Sequence, residues 1–170
     1  ESVLITSVAG YLGMAMGMHI VEDIYPDIGP ISGIYTGLNE SINEKVFVIG
    51  GDYPFLSKDL IINMINKSNK DKSVFVKNKN IINPLHGIYI KKTWEEKLYK
   101  NIQNKKFYNR KIIDENHNKK NSELLDFEKF DKTFKESLID IDTLEDLKKA
   151  RKIIYSKNQT IRPDIRPEGV

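Results

Sequence analysis

The chain has no cysteine, and this one absence removes disulfide frameworks, thiolate zinc sites and cysteine nucleophiles together. Long hydrophobic runs are missing too: nothing approaches the roughly 20 apolar residues that cross a bilayer. The first residues lack the basic-then-apolar order of a signal peptide. A soluble, cytoplasmic protein with no membrane partner is therefore expected. Charge of one sign is scarce in net terms, since 27 Lys and Arg stand against 24 Asp and Glu for a formal +3. Ten Lys or Arg do gather between Lys91 and Lys120. That stretch reads as a solvated lysine-rich face, and no nucleic-acid partner is expected. There is no His-x-x-x-His pattern or carboxylate cluster for zinc, no Gly-x-Ser-x-Gly elbow and no internal repeat.

What is present suits one domain of ordinary size. The 170 residues are 39% hydrophobic and 30% charged, enough to bury a core without staples. VLIT at 3–6 and VFVIG at 46–50 are apolar and β-branched, as strands covered on both faces are. Between them, Pro30 suits a first helical turn, and Ile31, Ile34, Tyr35 and Leu38 recur at three and four, which makes a strand–helix–strand crossover. Ser57 caps a helix bearing Leu60, Ile61, Met64 and Ile65. SVFVK at 73–77 and HGIYI at 86–90 are further strands. Thr93 and Glu96 form a capping box for a helix with Trp94, Leu98 and Ile102 on one face. Residues 105–121 read as a polar helix and loop. SLIDID then predicts a short strand, with Asp142 as N-cap and Glu145 as its partner before a helix carrying Leu144, Leu147, Ala150 and Ile154. Residues 156–170 hold two Arg-Pro pairs and no period, and are read as a tail. The expectation is an α/β, three-layer fold with one mostly parallel mixed sheet, residues 1–155 forming the domain.

Ligands of open α/β sheets collect at the carboxyl ends of strands. VFVIGGDYPF, residues 46–55, ends an apolar run on Asp52 after two glycines and before Pro54. Asp52 there is either a ligand for a hard cation, which needs only one or two protein carboxylates when phosphates and water complete its shell, or the cap of an Asx turn. Asp23 and Asp27 flank the Gly29-Pro30 entry to a helix, a place for an anion at the amide ends or for a plain turn. His86 in NPLHGIY is a candidate base or a core histidine. Asp140 and Asp142 alternate in IDIDT, and their spacing does not by itself make a metal pair.

DIYPDIGPISGIYTGL, VFVIGGDYPFL, NPLHGIYI and IDIDTLEDL, in that order, resemble the successive motifs of the molybdenum cofactor guanylyltransferase family. The resemblance covers about residues 2–155. It implies a Rossmann-like nucleotidyltransferase fold and transfer of GMP from GTP to a molybdopterin cofactor, with Mg²⁺ and release of pyrophosphate. By position, Asp52 resembles the metal-binding aspartate, Asp23 the nucleotide-contacting one, and Thr6 a residue near the base. His86, Asp140 and Asp142 lie where the family meets its acceptor. A molybdoenzyme or a cofactor-carrier protein is the implied partner. Alternatives are a cytidylyltransferase of the same fold and a non-catalytic binding protein that has lost the nucleotide site.

Two departures stand out. The family's opening strand and glycine-rich loop, with its Arg-Met-Gly and lysine, have no counterpart; GYLGMAMG at 10–17 lacks Arg and Lys. The expectation is that the first strand and loop are missing and that the chain as given is nearly inactive, since losing a cationic clamp commonly costs on the order of a hundredfold in rate. The family also often has Asn-x-Asn-Thr where this chain has Asp140-Ile141-Asp142-Thr143, an acidic pair that repels an anionic acceptor unless a cation offsets it.

Overall fold

The computed structural model describes residues 3–5, 19–79, 81–118 and 120–161. Strands β3 (Lys45–Ile49), β4 (Ser73–Asn78), β5 (Ile81–Ile90) and β6 (Ser122–Asp126) form a sheet in the order β3-β5-β4-β6. β5 is antiparallel to both neighbours, while β4 and β6 are parallel. Three of the four strands therefore point one way, the mostly parallel mixed sheet expected. β1 (Val3–Ile5) and β2 (His19–Val21) form a separate parallel pair. β2 was not legible in the sequence, being three residues long.

Side chains alternate across a strand, and here the alternation builds two cores. Phe75 and Tyr89 face one side, against Ile31, Ile34 and Leu38 of α1 (Pro30–Glu40), Trp94, Leu98 and Ile102 of α3 (Lys91–Gln103), and Ile112 and Ile113 of α4 (Asn109–Asn118). Val74, Val76, Ile88 and Ile90 face the other, against Leu60 and Met64 of α2 (Lys58–Lys67). Helices thus cover both faces, giving three layers. Phe75 lies flat over β5 because residue 87 is glycine; a Cβ there would overlap its ring. No helix among the described residues is long and apolar enough to cross a membrane.

The expected Pro30 and Ser57 starts are found: Pro30 opens α1, and the Ser57 hydroxyl accepts from Leu60 N–H at 3.2 Å. Other boundaries differ. Helix α3 starts at Lys91, with Ile90 as N-cap and no side-chain cap, so Thr93 lies inside it. The strand runs straight into the helix because Lys91 is tied down, its N–H to Glu44 O at 2.8 Å and its Nζ to Asn39 O and Ser41 O at 3.1 and 2.8 Å. The segment expected as a strand at 137–142 is irregular; β6 lies earlier, at SELLD, followed by a 3₁₀ turn (Phe127–Lys129) and α5 (Lys132–Glu136). The final helix, α6, spans Leu144–Ile161 and passes the expected tail boundary. Its capping box is Thr143 with Asp146, not Asp142 with Glu145. Asp146 Oδ2 accepts from Thr143 Oγ1 at 2.6 Å and from Thr143 N–H at 3.2 Å, and Asp146 N–H returns a bond to Thr143 Oγ1 at 3.2 Å. That one-residue shift leaves Asp142 without a capping role.

Candidate functional site

The carboxyl end of β3 turns sharply over its own last residues. Gly50 N–H still bonds Leu85 O at 3.0 Å, extending the β3–β5 ladder past Ile49. The chain then folds back so closely that a Cβ on Gly50 would collide with an Asp52 carboxylate oxygen and sit 3.1 Å from the Tyr53 ring. A side chain at residue 50 would need the Asp52 carboxylate to turn aside and the Tyr53 ring to give way slightly. The Asp52 side chain is exposed, and no hydrogen bond or ion pair engages its carboxylate among the described residues.

A distant segment is pinned to this turn. Ile141 N–H donates to Asp52 O at 3.0 Å, which brings Asp140 and Asp142 alongside. Both are exposed, and neither carboxylate has a partner among the described residues. The far side of the turn is held through Phe55, whose ring lies 5.7 Å from Lys157 Nζ of α6; Lys157 in turn pairs with Glu136 at 2.6 Å.

Tyr53 stands among the three carboxylates. Asn83 Nδ2 donates to its hydroxyl at 2.7 Å, and Leu85 N–H donates to Asn83 Oδ1 at 2.9 Å. Burial is the main force raising the Tyr53 pKa; the Asn83 bond works against it, and the charges of Asp140, Asp52 and Asp142 add to the rise. Beneath it His86 is 1% exposed, walled edge-on by Phe47 at 5.5 Å and Tyr53 at 5.6 Å. Neither ring nitrogen has a partner among the described residues. Burial lowers its pKa to about 4, so the ring is neutral at pH 7. The ring thus packs against Tyr53 from the buried side.

Asp23 belongs to a second cluster, on the loop from β2 to α1. Its Oδ1 is buried without a partner among the described residues, and burial raises its pKa. The backbone beside it is fastened to α1, with Ile24 N–H to Thr36 Oγ1 at 3.0 Å and Tyr25 N–H to Ser32 Oγ at 3.2 Å. Asp27, at φ +64°, and Gly29, at φ +79°, turn the chain into a helix whose first amides no side chain caps. A nucleotide hydroxyl or base N–H would satisfy the orphaned Asp23 oxygen; at the helix start Pro30 has no N–H and Ser32 N–H is bonded to Gly29 O at 3.1 Å, which leaves Ile31 N–H toward an anion. Thr6 and the glycine-bearing stretch 10–17 lie outside the described residues.

The structure therefore brings together Asp52, Asp140 and Asp142 around Tyr53, and keeps Asp23 in its own cluster. No group of three or more His, Asp or Glu among the described residues could enclose a metal by itself. A hard cation at Asp52 would need water and phosphates for the rest of its ligands. Tyr53 and Asn83 were missed from sequence. Their only signal was position, one beside Asp52 and the other three residues before His86. A cavity of about 310 Å³ lined by Tyr35, Lys92, Glu95, Glu96 and Tyr99 is unrelated to this site, since α3 follows Ile90, which pairs with Lys45 at the other end of β3.

A family model described as a MobA-like NTP transferase domain matches residues 4–120. Among solved structures, molybdopterin-guanine dinucleotide biosynthesis protein A from Archaeoglobus fulgidus is similar with TM-score 0.70 and 23% identity over 91% of this chain and 78% of that one. A protein from Aquifex aeolicus VF5 is similar with TM-score 0.67 and 18% identity over 83% and 70%. At such identities the likeness is one of fold. No curated protein matches the sequence.

Proposed function

The chain belongs to the MobA-like NTP transferase family, and from that premise we propose that it transfers GMP from GTP to molybdopterin, with Mg²⁺ held at Asp52. The observation that carries this reading is the Ile141–Asp52 backbone bond. It joins an unpaired carboxylate at a strand end to an unpaired acidic segment, where a donor and an acceptor phosphate would have to meet. The neighbour from Archaeoglobus fulgidus, named for molybdopterin-guanine dinucleotide biosynthesis, supports the choice of substrates.

In the reaction an oxygen of the acceptor's terminal phosphate attacks the α-phosphorus of GTP. A new P–O–P bond forms, the bond to the β-phosphate oxygen breaks, and pyrophosphate leaves with that electron pair. No protein nucleophile is required, so the chain contributes position and field. Asp52 holds the metal from the β3 end. Asp23 accepts a hydrogen bond from the nucleotide, and the positive end of the α1 dipole favours its negative charge. Asp140 and Asp142 border the acceptor side, kept in register by Ile141. Mg²⁺, when bound, screens the phosphates and steadies charge on the departing pyrophosphate.

Calorimetry with Mg-GTP and Mg-CTP, paired with a pyrophosphate-release assay on molybdopterin, tests this. Tighter binding of GTP and release dependent on both Mg²⁺ and molybdopterin are expected. A preference for CTP would make the protein a cytidylyltransferase, and absence of triphosphate binding would make it a non-catalytic member.

A further inference from the structure

We infer that the Tyr53 hydroxyl is a hydrogen-bond donor of fixed polarity that contacts the acceptor's phosphate, with Asn83 as the positioning residue that sets the polarity. The inference rests on the transferase reading above and extends it to residues that reading does not use.

The argument starts from the Asn83 amide, whose two ends are distinguished by their partners. Leu85 N–H can only donate, so the atom facing it at 2.9 Å is the amide oxygen, and the amide nitrogen faces Tyr53 at 2.7 Å. An NH₂ group only donates, so the Tyr53 oxygen is the acceptor in that contact. Its own proton must point elsewhere, and no acceptor for it is found among the described residues. The ring cannot swing to find one freely. It is set edge-on against His86 at 5.6 Å and closed on the strand side by the Gly50 backbone, with room for no Cβ. A half-buried hydroxyl held rigidly with its proton unspent is a built donor.

What surrounds it says which ligand it serves. Asp52, Asp140 and Asp142 offer only acceptors, and they repel an anion. Tyr53 is the side chain in this group that can donate to a phosphate oxygen while adding no charge. Its contacts, Asn83 and His86, belong to β5, and the segment beside it is Asp140–Asp142, so it faces the acceptor side of the turn and not the Asp23 cluster.

The test is steady-state pyrophosphate release with Mg-GTP and molybdopterin, comparing the unaltered protein with Tyr53→Phe, Asn83→Asp and the double variant. Melting curves accompany each to verify folding. Tyr53→Phe keeps the ring and should raise KM for molybdopterin about tenfold to a hundredfold, the range for losing a hydrogen bond to a charged group, while KM for GTP stays within about twofold. Asn83→Asp keeps the Leu85 bond but turns an NH₂ donor into a second acceptor, which captures the Tyr53 proton. It should reproduce the rise in KM for molybdopterin, and the double variant should be no worse than Tyr53→Phe alone. A purely structural role for Asn83 predicts the reverse, because the ring would be held at least as firmly. The inference is overturned if Tyr53→Phe leaves KM for molybdopterin unchanged, if it raises both KM values alike, or if the effects of the two single changes multiply. If calorimetry shows that the unaltered protein binds neither Mg-GTP nor Mg-CTP, the transferase reading itself fails and this inference with it, a result distinct from a triphosphate-binding protein with silent variants.

Discussion

At the end of the sheet where β3, β4 and β6 begin, most polar groups are satisfied. Ser73 Oγ accepts from Trp94 Nε1 at 2.6 Å and from Ile90 N–H at 3.2 Å. Lys45 Nζ closes the end of α2 on Ile65 O and Ser68 O at 3.2 and 3.0 Å, as Lys91 does for α1. The cations stand where helix dipoles favour them. Ser122 Oγ, at the start of β6, is the exception. At the carboxyl ends the pattern inverts. Both His86 nitrogens are buried without described partners, and Asp52, Asp140 and Asp142 crowd one tyrosine with no ion pair to any of them among the described residues. Unpaired buried polar atoms cost stability, and like charges placed together cost more. One end of the sheet has its polar groups paired, and the other is where the proposed function places its ligands.

Experiments that break this contrast should affect folding at one end and chemistry at the other. The largest expected effect is at the amino end. Trp94→Ala removes a fully buried ring that also satisfies Ser73, and urea unfolding should show a loss of about 3–5 kcal/mol.

The next effect belongs to His86 and depends on pH. Its folded pKa of about 4 lies below the ordinary 6.5. The unfolded chain therefore binds more protons between these values, and stability must fall as pH drops from about 6.5 to 4. The loss is on the order of 3 kcal/mol. His86→Phe should flatten that part of the stability curve; an unchanged slope would mean that the ring is not held neutral.

Asp52→Asn comes third. The carboxylate is exposed and unpaired, so the melting temperature should hold, while pyrophosphate release falls by about a hundredfold or more through loss of the metal ligand. A large drop in stability with intact turnover would reverse the contrast and reassign Asp52 as a structural cap. The smallest effect sharpens the boundary of the site. Thr143→Ala should lose about 1 kcal/mol as a broken N-cap, whereas Asp142→Ala should leave stability within about 0.5 kcal/mol. Equal losses would return Asp142 to the capping role that sequence spacing suggested.

The sequence was most legible where local chemistry decides. Pro30 and Ser57 mark helix starts that the chain uses, and Phe75, Tyr89, Trp94 and Leu98 announce a core by their period. It was least legible where a tertiary contact overrides a local one. Thr93 had a cap motif but lost it to the anchoring of Lys91 by Glu44, Asn39 and Ser41. SELLD became a strand because β4 offered an open parallel edge from Ser73 to Lys77, not because its two leucines alternate well. His86 stayed open between a base and a core histidine because no sequence pattern reports that Tyr53 and Phe47 wall its ring.

By itself the sequence determined that there would be two apolar layers around a sheet, and that a strand would deliver Asp52 to its carboxyl edge. Those outcomes depend on side-chain period and backbone freedom, which are properties of neighbouring residues. Only the tertiary structure decided that Ile141 would hold the acidic segment against that edge, and that Asn83 would turn its amide toward Tyr53. Hydrogen bonds between residues far apart in the chain form only after the sheet has brought their backbones together, so no local pattern records them.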